Sequence, residues 1–223
     1  MKIILESPYS EIFQDIGSRL GPDNIFLVGG FVRDTLLGRK SDDLDIACLL
    51  SPVEVKKVFP EALCFEKYGT FTFKRNQIHV TVACMREEGE YVDFRHPSYV
   101  RFVSDLHIDY KRRDFTINSL YVDKDLEVID PTKRGVSDLQ HHLITLIGDK
   151  KKRLYEDPLR ILRAYRFSYD LGFVFEEETR LALSQSIGLL GHLNKEKVKE
   201  ELRKMKPSTR EVIIHELHLD FVI

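Results

Sequence analysis

Residues 40–50 read KSDDLDIACLL, and this short stretch combines a predicted strand with two acidic side chains. Leu44 and Ile46 are typical of a buried β-strand. Asp43 and Asp45 are two residues apart, so both carboxylates project from the same face of that strand. Two carboxylates about 6–7 Å apart repel each other, most strongly where little water reaches them. The pair therefore indicates either an acidic strand face in solvent or a site where a divalent cation balances both charges.

The sequence just before the acid pair favours the cation site. Residues 25–34 read IFLVGGFVRD, a predicted strand followed by Gly29, Gly30 and a helix. Glycines at such a turn let backbone N–H groups approach a phosphate, and the helix N-terminus adds a partial positive charge. The stretch matches neither common phosphate-binding glycine motif, and Gly-Gly turns are widespread. Because an acid pair follows about 13 residues later, the combination predicts a triphosphate and its metal on neighbouring strands.

A second stretch, YKRRDFTINSLYVD at residues 110–123, has two arginines before an acid and an amide. If Asp114 opens a helix, Asn118 lies one turn later on the same face. Arg112 and Arg113 could then contact phosphate, while the acid and the amide contact ribose hydroxyls. An ordinary capped helix with a solvated basic start explains the pattern equally well.

A third stretch, EDPLRILRAYRF at residues 156–167, predicts a helix that begins near Asp157, with Arg160 one turn in. One interpretation is an ordinary helix cap with an ion pair. The other is base recognition, because a carboxylate beside a guanidinium offers an acceptor next to a donor. Cytosine and adenine present the complementary groups, whereas guanine and uracil present the reverse order. This pair would therefore accept C and A and reject the other bases.

The composition limits the class of protein. The 223 residues are 43% hydrophobic and 31% charged with a formal net charge of −2, which suits one large or two small globular domains. A protein that coats nucleic acid would usually be strongly basic. No apolar run approaches the roughly 20 residues of a membrane span, so we expect no membrane partner. The three cysteines form no C-x-x-C pair and the N-terminus does not resemble a signal peptide, which favours the cytoplasm.

The pattern along the chain predicts an α+β protein in two parts. Up to about residue 135, short strand-like runs alternate with helices, which indicates a head with a small mixed β-sheet flanked by helices. Beyond it, helices are predicted at residues 136–144, 158–171, 177–188, 194–205 and 209–217. We therefore expect a mixed α/β head over residues 1–135 and an all-helical C-terminal part over residues 136–223, which the resemblance described next implies are a catalytic head and a neck.

Five motifs then occur in an order that resembles a known family. GGFVRD, DLD, RRDFTIN, IDP…G…DL and EDPLRILRAYRF are similar to motifs of class II tRNA nucleotidyltransferases and bacterial poly(A) polymerases, in the polymerase β superfamily. LNKEKVKEEL at residues 193–202 resembles the next helical motif, with Lys197 where an arginine is usual. The resemblance covers roughly residues 24–205. It implies a nucleotidyltransferase head followed by a neck that binds the base of the incoming nucleotide.

The resemblance also implies a role for each motif. The acid pair would be catalytic and hold Mg²⁺ ions, one activating an RNA 3′-hydroxyl and another stabilising the leaving pyrophosphate. The Gly-Gly turn and Arg113 would hold the triphosphate, Asp114 the ribose, and Asp157 with Arg160 the base. The full set expected at the site is Asp43 and Asp45 as metal ligands, and Gly29, Gly30, Arg33, Arg112, Arg113, Asp114, Asn118, Asp157, Arg160 and Arg163 as nucleotide-binding residues.

The implied activity is template-independent addition of CMP, AMP or both, from CTP and ATP, to tRNA 3′ ends. Two alternatives stay open: a poly(A) polymerase that tails other RNAs, and a catalytically inactive nucleotide- or RNA-binding module. Members of the family usually continue past the neck into further helical domains, and this sequence ends at Ile223. With its net charge of −2 we expect weak RNA binding by this chain alone, aided by a homo-oligomer or a separate RNA-binding partner.

One feature of the family is missing from the sequence. A third carboxylate normally lies on a later strand and faces the acid pair, but IHVTVACMREEGEY at residues 78–91 has no acid within its apolar alternation. The position falls on Thr81 or, with a two-residue shift, on His79, and both share one strand face. Neither side chain suits Mg²⁺ as well as a carboxylate does. We therefore expect normal nucleotide affinity but slow turnover, improved when Mn²⁺ replaces Mg²⁺.

Overall fold

A computed structural model of the chain describes residues 1–91 and 93–219. These residues form one seven-stranded sheet, two two-stranded sheets and ten α-helices. The strands are β1 Ile25–Val28, β2 Asp43–Cys48, β3 Leu63–Phe65, β4 Thr70–Arg75, β5 Ile78–Cys84, β6 Arg86–Glu88, β7 Val100–Phe102, β8 Tyr121–Val122, β9 Val128–Ile129, β10 Leu143–Ile144 and β11 Val174–Phe175. The helices are α1 Tyr9–Leu20, α2 Gly29–Leu36, α3 Pro52–Val58, α4 Leu106–Asp109, α5 Gly135–Gln140, α6 Lys150–Glu156, α7 Leu159–Leu171, α8 Glu177–Ser186, α9 Lys195–Arg203 and α10 Pro207–Glu216.

The large sheet has the strand order β3-β4-β5-β2-β1-β8-β9. Its neighbouring strands are antiparallel except for β2 and β5, which run parallel. Helix α2 follows β1 directly and lies against β1, β2 and β8. The mixed sheet flanked by helices confirms the predicted α+β class, and the strand that carries the acid pair lies at its centre.

The alternation within β2 separates the core from the candidate site. Leu44, Ile46 and Cys48 are completely buried on one face of the strand. Asp43 and Asp45 project from the other face, where Asp43 is exposed and Asp45 is half-buried. Burial of the apolar residues fixes the register, because a slip by one residue would drive both carboxylates into the core.

The described residues divide into two compact units that do not follow a single cut. The first unit comprises Met1–Glu88, Tyr99–Arg113 and Ile117–Val136. The second comprises Gly89–Ser98, Asp114–Thr116 and Ser137–Ile223, whose last four residues lie outside the described part of the chain. The functional division into a head over residues 1–135 and a neck over residues 136–223 stays a prediction.

The predicted helix over residues 136–144 is wrong in its second half. Helix α5 ends at Gln140, and His142 has a positive φ of 56°. The chain then forms β10, which pairs in parallel with β11, so the neck segment also contains one short strand pair. The reason is tertiary: the carbonyl of Thr145 accepts a hydrogen bond from the backbone N–H of Thr116, which holds this segment extended.

No helix in the described part of the chain is long and apolar enough to cross a membrane. Cys48 and Cys84 are buried on neighbouring strands, and the third cysteine, Cys64, is half-buried. All three thiols are free. The two buried cysteines therefore act as small hydrophobic core residues.

Candidate active site

The turn into α2 and the acid-bearing strand meet in the first unit. Gly29 has a positive φ of 74°, and a Cβ added at this position would lie only 3.0 Å from Asp45 Oδ2. Glycine is therefore required both by the backbone conformation and by the approach of the carboxylate. The backbone N–H of Phe31, in the first turn of α2, donates a hydrogen bond to Asp45. The strand, the glycine turn and the acid pair form one continuous site.

The electrostatics of Asp45 show how two neighbouring carboxylates are accommodated. Burial raises the pKa of Asp45 to about 6, and the charge of Asp43 contributes to that rise. The guanidinium groups of Arg113 and Arg33 act in the opposite direction and lower the pKa. The remaining upward shift means that the site favours a proton, or another positive charge, at Asp45.

Arg33 is nearly buried and its guanidinium is held from two sides. Its Nε and Nη2 donate to both carboxylate oxygens of Asp34, each at 2.9 Å. Its Nη1 donates to Oδ1 of Asn118 at 2.8 Å. Asn118 ends a 3₁₀ turn over Thr116–Asn118 and is itself buried. In this structure the amide of Asn118 therefore fixes Arg33, the arginine nearest the Gly-Gly turn in sequence.

Asp109 binds both Arg112 and Arg113, and it was not among the site residues predicted from the sequence. This carboxylate is completely buried. It accepts hydrogen bonds from Arg112 at 2.8 Å, Arg113 at 2.9 Å, the Tyr121 hydroxyl at 2.6 Å and the Arg86 backbone N–H at 3.0 Å. Burial alone would raise the pKa of Asp109, but Arg113 and Arg112 hold it well below its usual range. The signal was present in the sequence, because an acid three and four residues before two arginines can reach both.

In the second unit, Asp157 lies beside Arg163 rather than Arg160. Nη2 of Arg163 donates to Asp157 Oδ2 at 3.0 Å. Arg160 instead donates through Nη1 to the Arg153 carbonyl oxygen at 2.5 Å and to Glu156 Oε2 at 3.3 Å. Asp157 and Arg160 therefore form no ion pair with each other here, and their expected role as an acceptor and a donor for the base stays a prediction. Side chains in a helix point back toward its N-terminus, which brings Arg160 to the end of α6 and Arg163 to the start of α7.

Arg160 is also one of the most buried charged residues of the chain. Its exposed fraction is 2%, and its guanidinium lies 5.6 Å from the centroid of the Tyr91 ring. Glu156 is shared between Arg160 and Arg153, which donates to it at 2.6 Å. The Nε of Arg160 has no hydrogen-bond partner among the described residues. Local sequence patterns do not predict this cluster, since Tyr91 is far from α7 in the chain.

The helix predicted to open at Asp114 is wrong. Asp114 and Phe115 lie outside any helix: the Asp114 carbonyl accepts a hydrogen bond from the Ile147 backbone N–H at 3.0 Å, and Phe115 forms an isolated β-bridge with Leu146. Phe115 is completely buried and packs edge-on against Phe167, with ring centroids 5.7 Å apart. This long-range packing overrides the local cap signal, so Asp114 and Asn118 do not share a helix face. Asp114 instead lies 3.4 Å from Arg163 Nε through its Oδ2.

The neighbouring strand β5 supplies the position of the expected third carboxylate. In the parallel register, His79 lies opposite Asp43 and Thr81 lies opposite Asp45. This confirms that both candidates share the face of the acid pair. Among residues 1–91 and 93–219, no group of three or more His, Cys, Asp or Glu side chains is placed to hold a metal ion. The role of Asp43 and Asp45 as metal ligands stays a prediction.

Comparisons with known proteins find one family of head domains and its full-length members. Residues 25–145 match the family described as the poly A polymerase head domain. The chain is 41% identical to the CCA-adding enzyme of Lactobacillus johnsonii over 81% of its own length and 45% of that relative. It therefore spans about half the length of the curated relatives it matches.

Solved structures of CCA-adding enzymes are also similar to this chain. The Bacillus stearothermophilus CCA-adding enzyme in complex with CTP superposes with a TM-score of 0.78 and 33% identity, covering 90% of this chain and 49% of that one. The Thermotoga maritima CCA-adding enzyme complexed with tRNA superposes with a TM-score of 0.74 and 25% identity, covering 96% and 52%.

Proposed function

The chain belongs to the poly A polymerase head-domain family, and from this premise we propose that it is a template-independent RNA nucleotidyltransferase. The proposed reaction adds CMP, AMP or both, from CTP and ATP, to tRNA 3′ ends. The observation that carries the proposal is the contact between the Gly29 turn and Asp45, with Arg113 and Arg33 acting on the same carboxylate. The similarity to CCA-adding enzymes supports tRNA as the RNA.

Nucleotidyltransferases of this family generally use a divalent metal, and the proposed ion here is Mg²⁺. The residues fit this ion, since Mg²⁺ is usually held by one or two carboxylates together with substrate phosphates and water. The raised pKa of Asp45 supports the fit, because a bound cation would relieve the unfavourable buried charge. When bound by Asp43 and Asp45, Mg²⁺ would activate the RNA 3′-hydroxyl and stabilise charge on the phosphates.

The side chains and backbone of the protein would bind the nucleotide and orient it for the reaction. The RNA 3′-oxygen forms a bond to the α-phosphorus of the nucleotide while the bond to the β-phosphate oxygen breaks, releasing pyrophosphate. We assign Gly29, Gly30, Arg33, Arg112 and Arg113 to the triphosphate. Arg112 and Arg113 suit this role because Asp109 fixes both guanidinium groups before the nucleotide arrives.

We assign selection of the base to residues near the start of α7, and selection of the sugar to Asp114 and Asn118. Asp157 would accept a hydrogen bond from the amino group shared by cytosine and adenine, with a guanidinium as the neighbouring donor. Arg163 stands beside Asp157 in this structure, and Arg160 stays a proposed nucleotide-binding residue at the same helix start. Asp114 and Asn118 are the proposed ribose contacts. The proposal places the reaction in the cytoplasm, where thiols such as those of Cys48 stay reduced.

The test is incorporation of labelled CTP and ATP into tRNA that lacks its 3′ CCA. We expect incorporation by the parent and none by Asp43→Ala or Asp45→Ala, with the fold unchanged. Asp42→Ala is the matched control, because Asp42 is an exposed neighbouring acid outside the pair. Near-normal turnover by either pair variant would contradict the site. Addition of AMP alone to RNAs other than tRNA would indicate a poly(A) polymerase, and no incorporation would indicate a binding module.

A further inference from the structure

The guanidinium of Arg163 contacts two carboxylates that come from distant parts of the chain. Its Nη2 donates to Asp157 Oδ2 at 3.0 Å, and its Nε lies 3.4 Å from Asp114 Oδ2. Both carboxylates keep 15% of their side-chain surface exposed, and Arg163 keeps 29%. The cluster is therefore sheltered from water but still open to a ligand.

A single guanidinium suits this arrangement because its donors point in fixed, different directions. The fork can serve two carboxylates at once, whereas an ammonium group acts as a point charge. Burial lowers the pKa of Arg163, but Asp114 and Asp157 outweigh that effect and raise it. The shared positive charge also offsets the repulsion between the two acids. Loss of Arg163 would therefore disturb Asp114 and Asp157 together.

We propose that Arg163 is a positioning residue that couples selection of the sugar to selection of the base. This rests on the proposed function, which gives Asp114 to the ribose and Asp157 to the base. Because one guanidinium holds Asp157 by a hydrogen bond and Asp114 by an ion pair, a change at Arg163 alters both selectivities in parallel. A residue that read the base alone would leave the preference for ribonucleotides intact.

The same helix offers a matched control. Arg166 lies one turn after Arg163 on α7, and its Nε donates to Glu201 Oε1 at 2.9 Å. Glu201 is buried, so removing Arg166 also breaks a sheltered ion pair. Neither proposed recognition carboxylate has an ion pair to Arg166. General loosening of α7 would appear in both variants, whereas loss of coupled selection would appear only at Arg163.

The experiment measures two ratios of kcat/KM, CTP over dCTP and CTP over UTP, for the parent, Arg163→Met, Arg163→Lys and Arg166→Met. We expect Arg163→Met to lower both ratios about tenfold, the effect of losing one charged hydrogen bond. Arg163→Lys should recover part of both ratios, because the charge is retained. Arg166→Met should lower the melting temperature and leave both ratios within about twofold of the parent.

Displacement of a fluorescent CTP analogue by CTP, dCTP and UTP, without RNA, separates this inference from the proposed function. Parallel loss of both binding preferences at Arg163 would support the coupling even if the parent incorporated nothing, in which case only the proposed function would fall. A parent that incorporates CMP while Arg163→Met changes one ratio or neither would overturn the coupling. Equal effects of Arg163→Met and Arg166→Met would also overturn it.

Discussion

Asp45 leaves no room for a side chain at Gly29, since a Cβ added there would lie 3.0 Å from Asp45 Oδ2. The two residues lie on different elements, the first turn of α2 and the centre of β2. Real Cβ contacts are rarely this close, so any side chain at Gly29 must move the carboxylate. The glycine turn and the acid pair therefore cannot be altered independently.

The first prediction is that Gly29→Ala lowers incorporation by about one to two orders of magnitude, because a misplaced catalytic group costs roughly that much. The positive φ adds a loss of about 1–2 kcal/mol in the free energy of unfolding. Initial rates measure the loss of incorporation, and urea denaturation measures the loss in the free energy of unfolding. Gly38→Ala is the control: Gly38 has a φ of 67°, and a Cβ there meets no described atom within 4 Å. A loss of incorporation in Gly38→Ala equal to that in Gly29→Ala would contradict the explanation.

The second prediction concerns pH and Asp45 without metal. An unfolded aspartate has a pKa of about 3.9, whereas burial raises the pKa of Asp45 to about 6. The folded state therefore binds more protons between these values, so the free energy of unfolding falls as pH rises from about 4 to about 6. The measurement is urea denaturation in EDTA across this range. The contribution of Asp45 should be fully present near pH 3 and lost above pH 7.

Asp45→Asn isolates that contribution from other titrating groups. The amide cannot ionise, so the variant should become more stable than the parent by about 1–2 kcal/mol at pH 7, but not at pH 4. Addition of Mg²⁺ at pH 7 should stabilise the parent and leave the variant unchanged. If the difference in stability between the parent and Asp45→Asn does not depend on pH, the pKa of the Asp45 carboxyl is not raised.

The third prediction is that Asp109→Asn weakens both the fold and triphosphate binding. Removing this buried charge takes away the carboxylate that pairs with both Arg112 and Arg113, which costs about 3–5 kcal/mol of stability. We also expect the KM for CTP to rise more than kcat falls. Glu87→Gln is the control, because it breaks an exposed pair with Arg101 that is worth less than about 1 kcal/mol. An unchanged KM for CTP in folded Asp109→Asn would exclude the positioning role.

The fourth prediction restores a carboxylate beside the acid pair. Thr81 lies opposite Asp45 and His79 opposite Asp43, so Thr81→Asp or His79→Glu should raise kcat while the KM for CTP stays the same. The parent should also turn over faster with Mn²⁺ than with Mg²⁺. Thr72→Asp is the control: Thr72 lies opposite Thr81 on β4, one strand farther from the pair. If Thr81→Asp and His79→Glu are both slower than the parent while folded, another residue already fills this role.

The acid pair and its glycine turn could be predicted because both depend on local patterns. Strand alternation places Asp43 and Asp45 on one face, and the two glycines between a strand and a helix predict the turn beside them. The pairing of β2 with β5 depended on long-range contacts, yet the apolar alternation of β5 was enough to assign the face of Thr81. These parts of the site are encoded in spacings of a few residues.

The remaining features depend on partners far along the chain. Asp114 has the local signature of a helix start, but burial of Phe115 against Phe167 keeps this segment out of a helix. Arg160 and Arg163 are both within reach of Asp157 by sequence spacing. The choice between them is decided by Glu156 at the end of the preceding helix, which binds Arg160. Such competition between two arginines cannot be resolved from spacing alone.

The chain passes between its two compact units five times, at residues 88–89, 98–99, 113–114, 116–117 and 136–137. The two units are therefore interleaved along the sequence. A gene fragment ending at residue 136 would keep Phe94 and Phe115 but discard His192 and Phe167, the rings on which they pack. A single cut there would separate these ring pairs of the second unit, whose residues 89–98 and 114–116 lie before the cut, so the second unit cannot be transferred by one cut.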